Sequence, residues 1–307
     1  MPCALNLIGS VIISRKLLLE NGLIDFVFKK LVIRSPPPFV AVPGLISSDV
    51  MGIRAIERFM QLNRRTVLGI LESAGEKCAA LLDAKIRDVQ CSTIQCDELY
   101  SFVFCKEFKN KLHLPDIGEQ YTFLGIDRDS KLILSYHIGK REEGETDTFI
   151  ADLRKRVKGE PQITTDGFKA YCSAITTTFG DGVHFAQQVK RYTHSGLLPK
   201  KVRLSLPVDR RCIGVKTYVR IGNPDVALIS TSHVERTNLS VRLFNRRYTR
   251  MTLGFSKQID NLKHSTALLI GYFNFCRIHG AHGQTPAQAA GITNHQWTIE
   301  ELLGSTI

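Results

Sequence analysis

Residues 94–104 read Ile94-Gln95-Cys96-Asp97-Glu98-Leu99-Tyr100-Ser101-Phe102-Val103-Phe104. The stretch is dense in β-branched and aromatic residues, which fit a pleated, half-buried surface, so it predicts a strand. Period-two alternation puts Ile94 and Cys96 on one face and Asp97 on the other. Glu98, by the same alternation, is expected to point away from Asp97. A carboxylate in the middle of a sheet strand is costly unless it is paired, exposed or bound to metal. One acid in one strand therefore raises fold and chemistry together.

Working outward, strands are predicted over 121–126 and 132–138, joined by the hairpin-like turn Asp127-Arg128-Asp129-Ser130-Lys131. Residues 146–157 form an amphipathic helix, with Phe149, Leu153 and Val157 four apart. A short strand over 162–165 ends at Asp166-Gly167, and helix signals return at 169–177. A polar stretch with little pattern follows. Long helices are then predicted over 232–247 and 259–276. Strand, hairpin, strand, helix, strand, helix gives the fold class α/β, a mixed sheet with helices on its faces.

Upstream, Ile53, Ile56, Phe59 and Met60 recur at helical spacing. Gln61-Leu62-Asn63 interrupts, and Val67, Ile70, Leu71 and Ala74 mark a second helix with Asn63 as its N-cap. The basic start Arg64-Arg65-Thr66 suits a small all-α helix-turn-helix, whose second helix reaches DNA through its first turn. An ordinary helical hairpin fits the same pattern. Residues 1–45 show no sustained period, and Ser35-Pro36-Pro37-Pro38 breaks any helix or central strand. The chain thus divides into an irregular leader and linker (1–50), a helix-turn-helix region (51–90), an α/β domain (91–290) and a tail (291–307).

The 307 residues carry a formal net charge of +12, with a pI near 9.4. A polyanion is the natural partner, DNA or RNA being the commonest. The eight cysteines (Cys3, Cys78, Cys91, Cys96, Cys105, Cys172, Cys212, Cys276) include no C-x-x-C pair. They fit reduced thiols in a cytosolic protein better than a disulfide framework. No membrane span is expected. The apolar run 4–13 precedes Arg15 and Lys16, the reverse of a signal peptide's order.

Two further acids stand out. Asp166 sits where a strand ends, the place where ligand sites collect in α/β sheets. Glu235 lies in Ser232-His233-Val234-Glu235-Arg236, at a helix start. Three carboxylates suit phosphodiester cleavage and strand transfer. There a pair of divalent ions activates the attacking oxygen and stabilises the leaving one. Each acid also has a plainer reading: Glu235 as N3 of a capping box with Ser232 as N-cap, Asp166-Gly167 as a turn, Asp97 as a solvent-facing strand acid.

The helix after Glu235 is crowded by Arg236, Arg242, Arg246, Arg247 and Arg250. Steps of four, three and four put Glu235, Leu239, Arg242 and Arg246 on one face. That describes either a basic track for a phosphate backbone or a solvated basic face. Arg277 and His279 are auxiliary candidates, His279 as a phosphate contact or proton shuttle or as a purely structural histidine.

Ordered motifs resemble insertion-sequence transposases of the DDE class, in the insertion-sequence-one type group. They are Gln95-Cys96-Asp97-Glu98-Leu99-Tyr100-Ser101-Phe102-Val103, Thr164-Thr165-Asp166-Gly167-Phe168, and Ser230-Thr231-Ser232-His233-Val234-Glu235-Arg236-Thr237-Asn238-Leu239. The tail Tyr272-Phe273-Asn274-Phe275-Cys276-Arg277-Ile278-His279, with Thr285-Pro286-Ala287 and Ala290-Gly291, agrees too. The resemblance covers roughly residues 52–303. It implies an RNase H-like catalytic core over 91–290 with Asp97, Asp166 and Glu235 as catalytic metal ligands. It implies Mg2+, with Mn2+ as substitute, and a DNA-reading helix-turn-helix over 53–75 with Arg64, Arg65 and Thr66 at its contact end. It also implies double-stranded DNA partners (element ends and target), a homo-oligomer on DNA and a prokaryotic, nucleoid-associated cytoplasmic setting. Residues 1–45 supply neither the zinc element nor the preceding helix such proteins usually carry, and Tyr100 stands where the group more often has tryptophan. A helix-turn-helix regulator would need no carboxylate triad. An RNase H-like nuclease would cut without joining.

Overall fold

The computed structural model describes residues 52–192, 212–250 and 252–304. The expected leader and its proline run lie outside the described residues. Helix α1 (Ile53–Met60) ends at Gln61, which takes a left-handed conformation, and α2 (Arg64–Lys85) starts at Asn63. The Asn63 side chain accepts the Arg65 N–H at 2.8 Å, the N-cap bond expected of it. The second helix runs on to Lys85, beyond its expected end, because Cys78, Leu81 and Leu82 continue its apolar face. Its residues from Ile70 to Leu82 share one hydrophobic core with the sheet.

The rest of the chain follows as β1 (Val89–Gln90), β2 (Thr93–Val103), β3 (Gly118–Asp127), β4 (Ile133–Gly139), α3 (Glu143–Arg156), β5 (Val157–Lys158) and β6 (Gln162–Thr165). Then come α4 (Ala170–Phe179), β7 (His184–Tyr192), β8 (Cys212–Ile221), α5 (Ser232–Phe244) and α6 (Ile259–Gly271), with short α7 (Pro286–Ala289) and α8 (Ile299–Gly304) last. A π-helical turn, Tyr272–Cys276, extends α6. Six strands form one mixed sheet in the order β4-β3-β2-β6-β7-β8. The pairs β4/β3, β3/β2 and β7/β8 are antiparallel, while β2/β6 and β6/β7 are parallel. β1 and β5 make a separate parallel pair.

Helices cover both faces. On one, Cys96 lies near Leu153 and Phe149 of α3. On the other, Gln95 Oε1 accepts the backbone N–H groups of His233 (2.9 Å) and Val234 (3.1 Å) and so fixes the start of α5 against β2. α2 lies against α6, where Gly75 meets the backbone of His264 so closely that a Cβ would overlap it.

Three expectations are corrected. The helix predicted over 232–247 stops at Phe244. Asn245 accepts the Arg247 N–H and turns the chain into a 3-10 turn, Arg246–Tyr248. The N-cap position of α5 is Thr231 rather than Ser232. The polar stretch after 177 contains strands β7 and β8. β8 is exposed along most of its length, so it lacks the buried-exposed alternation that marks a strand in sequence. No described helix is long and apolar enough to cross a membrane.

Candidate metal centre

Asp97 sits mid-strand in β2, opposite Leu124 of β3. On its other side β2 pairs with β6 only as far as Cys96↔Thr165. The next residues, Asp97 and Asp166, are therefore neighbours where the parallel pairing stops. Glu98 follows from the other face of the strand. Each of Asp97, Glu98 and Asp166 offers one carboxylate oxygen, and these oxygens lie within 4.8 Å of one another. The expectation that Glu98 stands apart is thus corrected. Alternation does send it to the opposite face, but Asp166 leaves the strand end within reach of both.

Local chemistry holds each acid. Asp166 Oδ1 accepts the Phe168 N–H (2.8 Å), an Asx-type turn, and Gln187 Nε2 donates to the Asp166 carbonyl (2.8 Å). Gly167 is required there, since a Cβ would press on the Val189 side chain at 2.9 Å. Arg141 bridges two acids, its Nη2 lying 3.2 Å from Glu98 and 3.4 Å from Asp166. The guanidinium stacks on Phe168, 4.2 Å from the ring centre. Asn238, on α5, donates to Asp97 Oδ2 at 2.8 Å.

Burial, then the charge of Asp166, raises the Asp97 carboxyl to about 6 and that of Glu98 to about 7. The Glu98 side chain is only 3% exposed, and hydrogen bonding from the buried Tyr171 hydroxyl and the charge of Arg141 offset only part of its rise. Buried carboxylates that repel one another form a hard, electron-rich donor set that a divalent cation would satisfy.

Glu235 borders this group without belonging to the three clustered oxygens. Its charge is among those that raise Asp97. Its carboxylate is held by Lys190 of β7 (Nζ to Oε2, 2.6 Å) and by the Thr231 hydroxyl (2.7 Å).

The expected basic residues separate by environment. Arg236 and Arg250 are exposed. Arg242 is half-buried, close enough to feel both Arg250 and Asp97, and its Nε has no hydrogen-bond partner. Arg246 is off the α5 face because the helix has ended, and it packs on Gly254. Arg247 is engaged with the protein itself. Its Nε donates to the Asn261 carbonyl (3.1 Å), and burial lowers its ionisation to about 10. Arg64 and Arg65 are exposed at the start of α2 and Thr66 is half-exposed. Arg64 shares the wall of a cavity of about 740 Å³ with Arg54, Arg246, Arg247 and Lys257. The guanidinium of Arg277 is stacked on Phe244 at 4.3 Å. His279 stacks on His282, and burial, then His282, lowers it to about 4. It is neutral near pH 7, which makes it a poor phosphate-binding cation.

Sequence reading missed Glu98, Arg141, Lys190 and Asn238. Asn238 was the detectable one, three residues after Glu235 and so on the same helix face. Glu98 adjoins Asp97 but leaves from the other face of the strand, and Arg141 and Lys190 meet the acids only through the fold. No protein-family model matches the chain, and comparison with curated proteins gives no match.

Proposed function

We propose that this chain is a metal-dependent polynucleotidyl transferase of the DDE transposase class. It would bind the ends of its mobile element, nick them and join the 3′ ends to target DNA. The observation that carries the reading is the convergence of Asp97, Glu98 and Asp166 at the end of the β2/β6 parallel pair. A mixed sheet whose acid-bearing strand is paired antiparallel on one side and parallel on the other is compatible with an RNase H-like core.

Asp97, Asp166 and Glu98 would hold the ion, with Glu235 adjacent. Mg2+ or Mn2+, when bound, supplies the Lewis acid that phosphoryl transfer needs. The chain's own groups do the rest. Asn238 orients Asp97 through Oδ2. Arg141 fixes Glu98 and Asp166 against each other. Lys190 neutralises Glu235. Arg242 brings positive charge within reach of Asp97, and Arg236 and Arg250, both exposed, would extend it along a phosphate backbone. Arg64, Arg65 and Thr66 would contact the element ends from the first turn of α2.

Titration calorimetry with Mg2+ and Mn2+, paired with nicking of supercoiled DNA, tests the reading. Wild-type protein should bind the ions and nick, and Asp97→Asn and Asp166→Asn should do neither. Nicking that persists in chelator, or in Asp97→Asn, would overturn it.

A further inference from the structure

At the last residues of β2, from Tyr100 two residues beyond Glu98 and on past the strand end, lies a second cavity of about 720 Å³. Among its walls are the rings of Tyr100, Phe102, Phe104 and Phe108 and the cations Lys106, Lys109 and Arg250, together with Leu253 and small polar residues, and no acidic residue among those described lines it. Three observations make it more than a dent in the surface. First, Phe104 is 57% exposed and Phe108 75%, and they are the only phenylalanine, tyrosine or tryptophan side chains in the exposed class among those described. Second, Phe104 has a φ of +62°, a conformation that a bulky side chain seldom adopts. Its N–H donates to the Ser256 carbonyl at 2.8 Å, which ties the strand end to the segment after Phe255. Strain of this kind collects at functional sites. Third, the cavity continues the basic path from the acids: Arg242 feels both Asp97 and Arg250, and Arg250 lines the wall.

Exposed rings interleaved with cations match the requirements of an unpaired nucleic-acid strand. Bases stack on aromatic faces and phosphates meet ammonium and guanidinium groups. A paired base keeps its faces inside the duplex and cannot use such rings. We infer that this cavity receives unpaired bases of a DNA strand leaving the acidic cluster, stacked on Phe104 and Phe108 with their phosphates on Lys106, Lys109 and Arg250. The inference rests on the DNA reading above and names the strand state that this part of the site recognises.

The test uses the full chain, a fluorescent oligo-dT, a duplex with the same number of phosphates, and an oligo-dT carrying a single 2-aminopurine. Wild type should bind both DNAs and quench 2-aminopurine. Phe104→Ala combined with Phe108→Ala should weaken single-strand binding by about tenfold or more, given the usual cost of a lost base–ring stack. Duplex affinity should change less than about twofold, because its phosphate contacts are untouched. Quenching should vanish in the double variant and survive in Phe108→Trp. Equal losses on both DNAs, or undiminished single-strand binding and quenching, would overturn the inference and leave the DNA reading standing. Unchanged single-strand affinity with loss of self-association in sedimentation would overturn it in favour of a contact between copies. If wild type binds neither DNA, the DNA reading falls and the inference with it.

Discussion

Asp97 and Glu98 are carboxyls whose proton affinity is raised on folding, by burial first and by Asp166 next. The folded chain therefore binds these protons more tightly than the unfolded chain. The stability they contribute is fully present below the ordinary carboxylate range and is lost as pH rises through about 6 to 7. Thermal melts of metal-free protein should show stability falling across that window. Glu98→Gln should flatten the fall and raise the melting temperature above it, and an unchanged slope would show that Glu98 is not strained by its neighbours. A divalent ion reverses the sign. Protons and metal compete for the same oxygens, so Mg2+ or Mn2+ affinity should increase as pH rises through the same window. At the same scale, Asp97→Asn and Asp166→Asn should abolish cleavage and leave duplex affinity within about twofold, since neither change deletes a phosphate contact. Normal cutting by either variant would remove that acid from the site.

Among the elements, α5 carries the division between catalysis and binding. Asn238 faces Asp97, Glu235 faces Lys190, and Arg242 feels the charges of both Asp97 and Arg250. Arg242→Ala with Arg250→Ala should reduce the slope of log affinity against log salt by about 0.9 per lost phosphate contact. Wild-type slope in the double variant would place both arginines outside the DNA path. The crossing of α2 and α6 is a packing device. Gly75→Ala should cost about 1 to 3 kcal/mol in denaturant melts, the usual penalty of overpacking, because the added methyl meets the backbone of His264. A neutral result would show that the helices separate freely. These elements also show what was legible in the sequence. β2, β3, β4 and β6 were, because strand-forming residues bounded by turn residues mark them. The start of α2 was legible through Asn63. The end of α5 was not, because Asn245 stops the helix with a side-chain bond while the arginines continue past it. β8 was not, because a strand exposed along most of its length carries no burial pattern.

Across the whole molecule, the acids are distant in sequence and meet only through register. Cys96↔Thr165 is the last rung before Asp97 and Asp166. Nothing in spacing or composition could give that rung, so the sequence pointed to Asp97 and Asp166 but missed Glu98, whose carboxylate oxygen joins theirs. The net charge of +12 was legible from composition. Its division between exposed Arg236 and Arg250, Arg242 within reach of Asp97 and an inward Arg247 was not, because side-chain burial is decided by packing. The reading of the chain as a transferase rather than a nuclease or a regulator turns on joining. A labelled duplex copied from the DNA flanking the gene, with a free 3′-hydroxyl, is incubated with supercoiled plasmid, Mg2+ and the full chain, and covalent transfer of label to the plasmid is measured. The proposed function requires Mg2+-dependent joined product from wild type and none from Asp97→Asn or Asp166→Asn. Absence of joining by wild type, joining without a divalent ion, or equal joining by Asp97→Asn would contradict it.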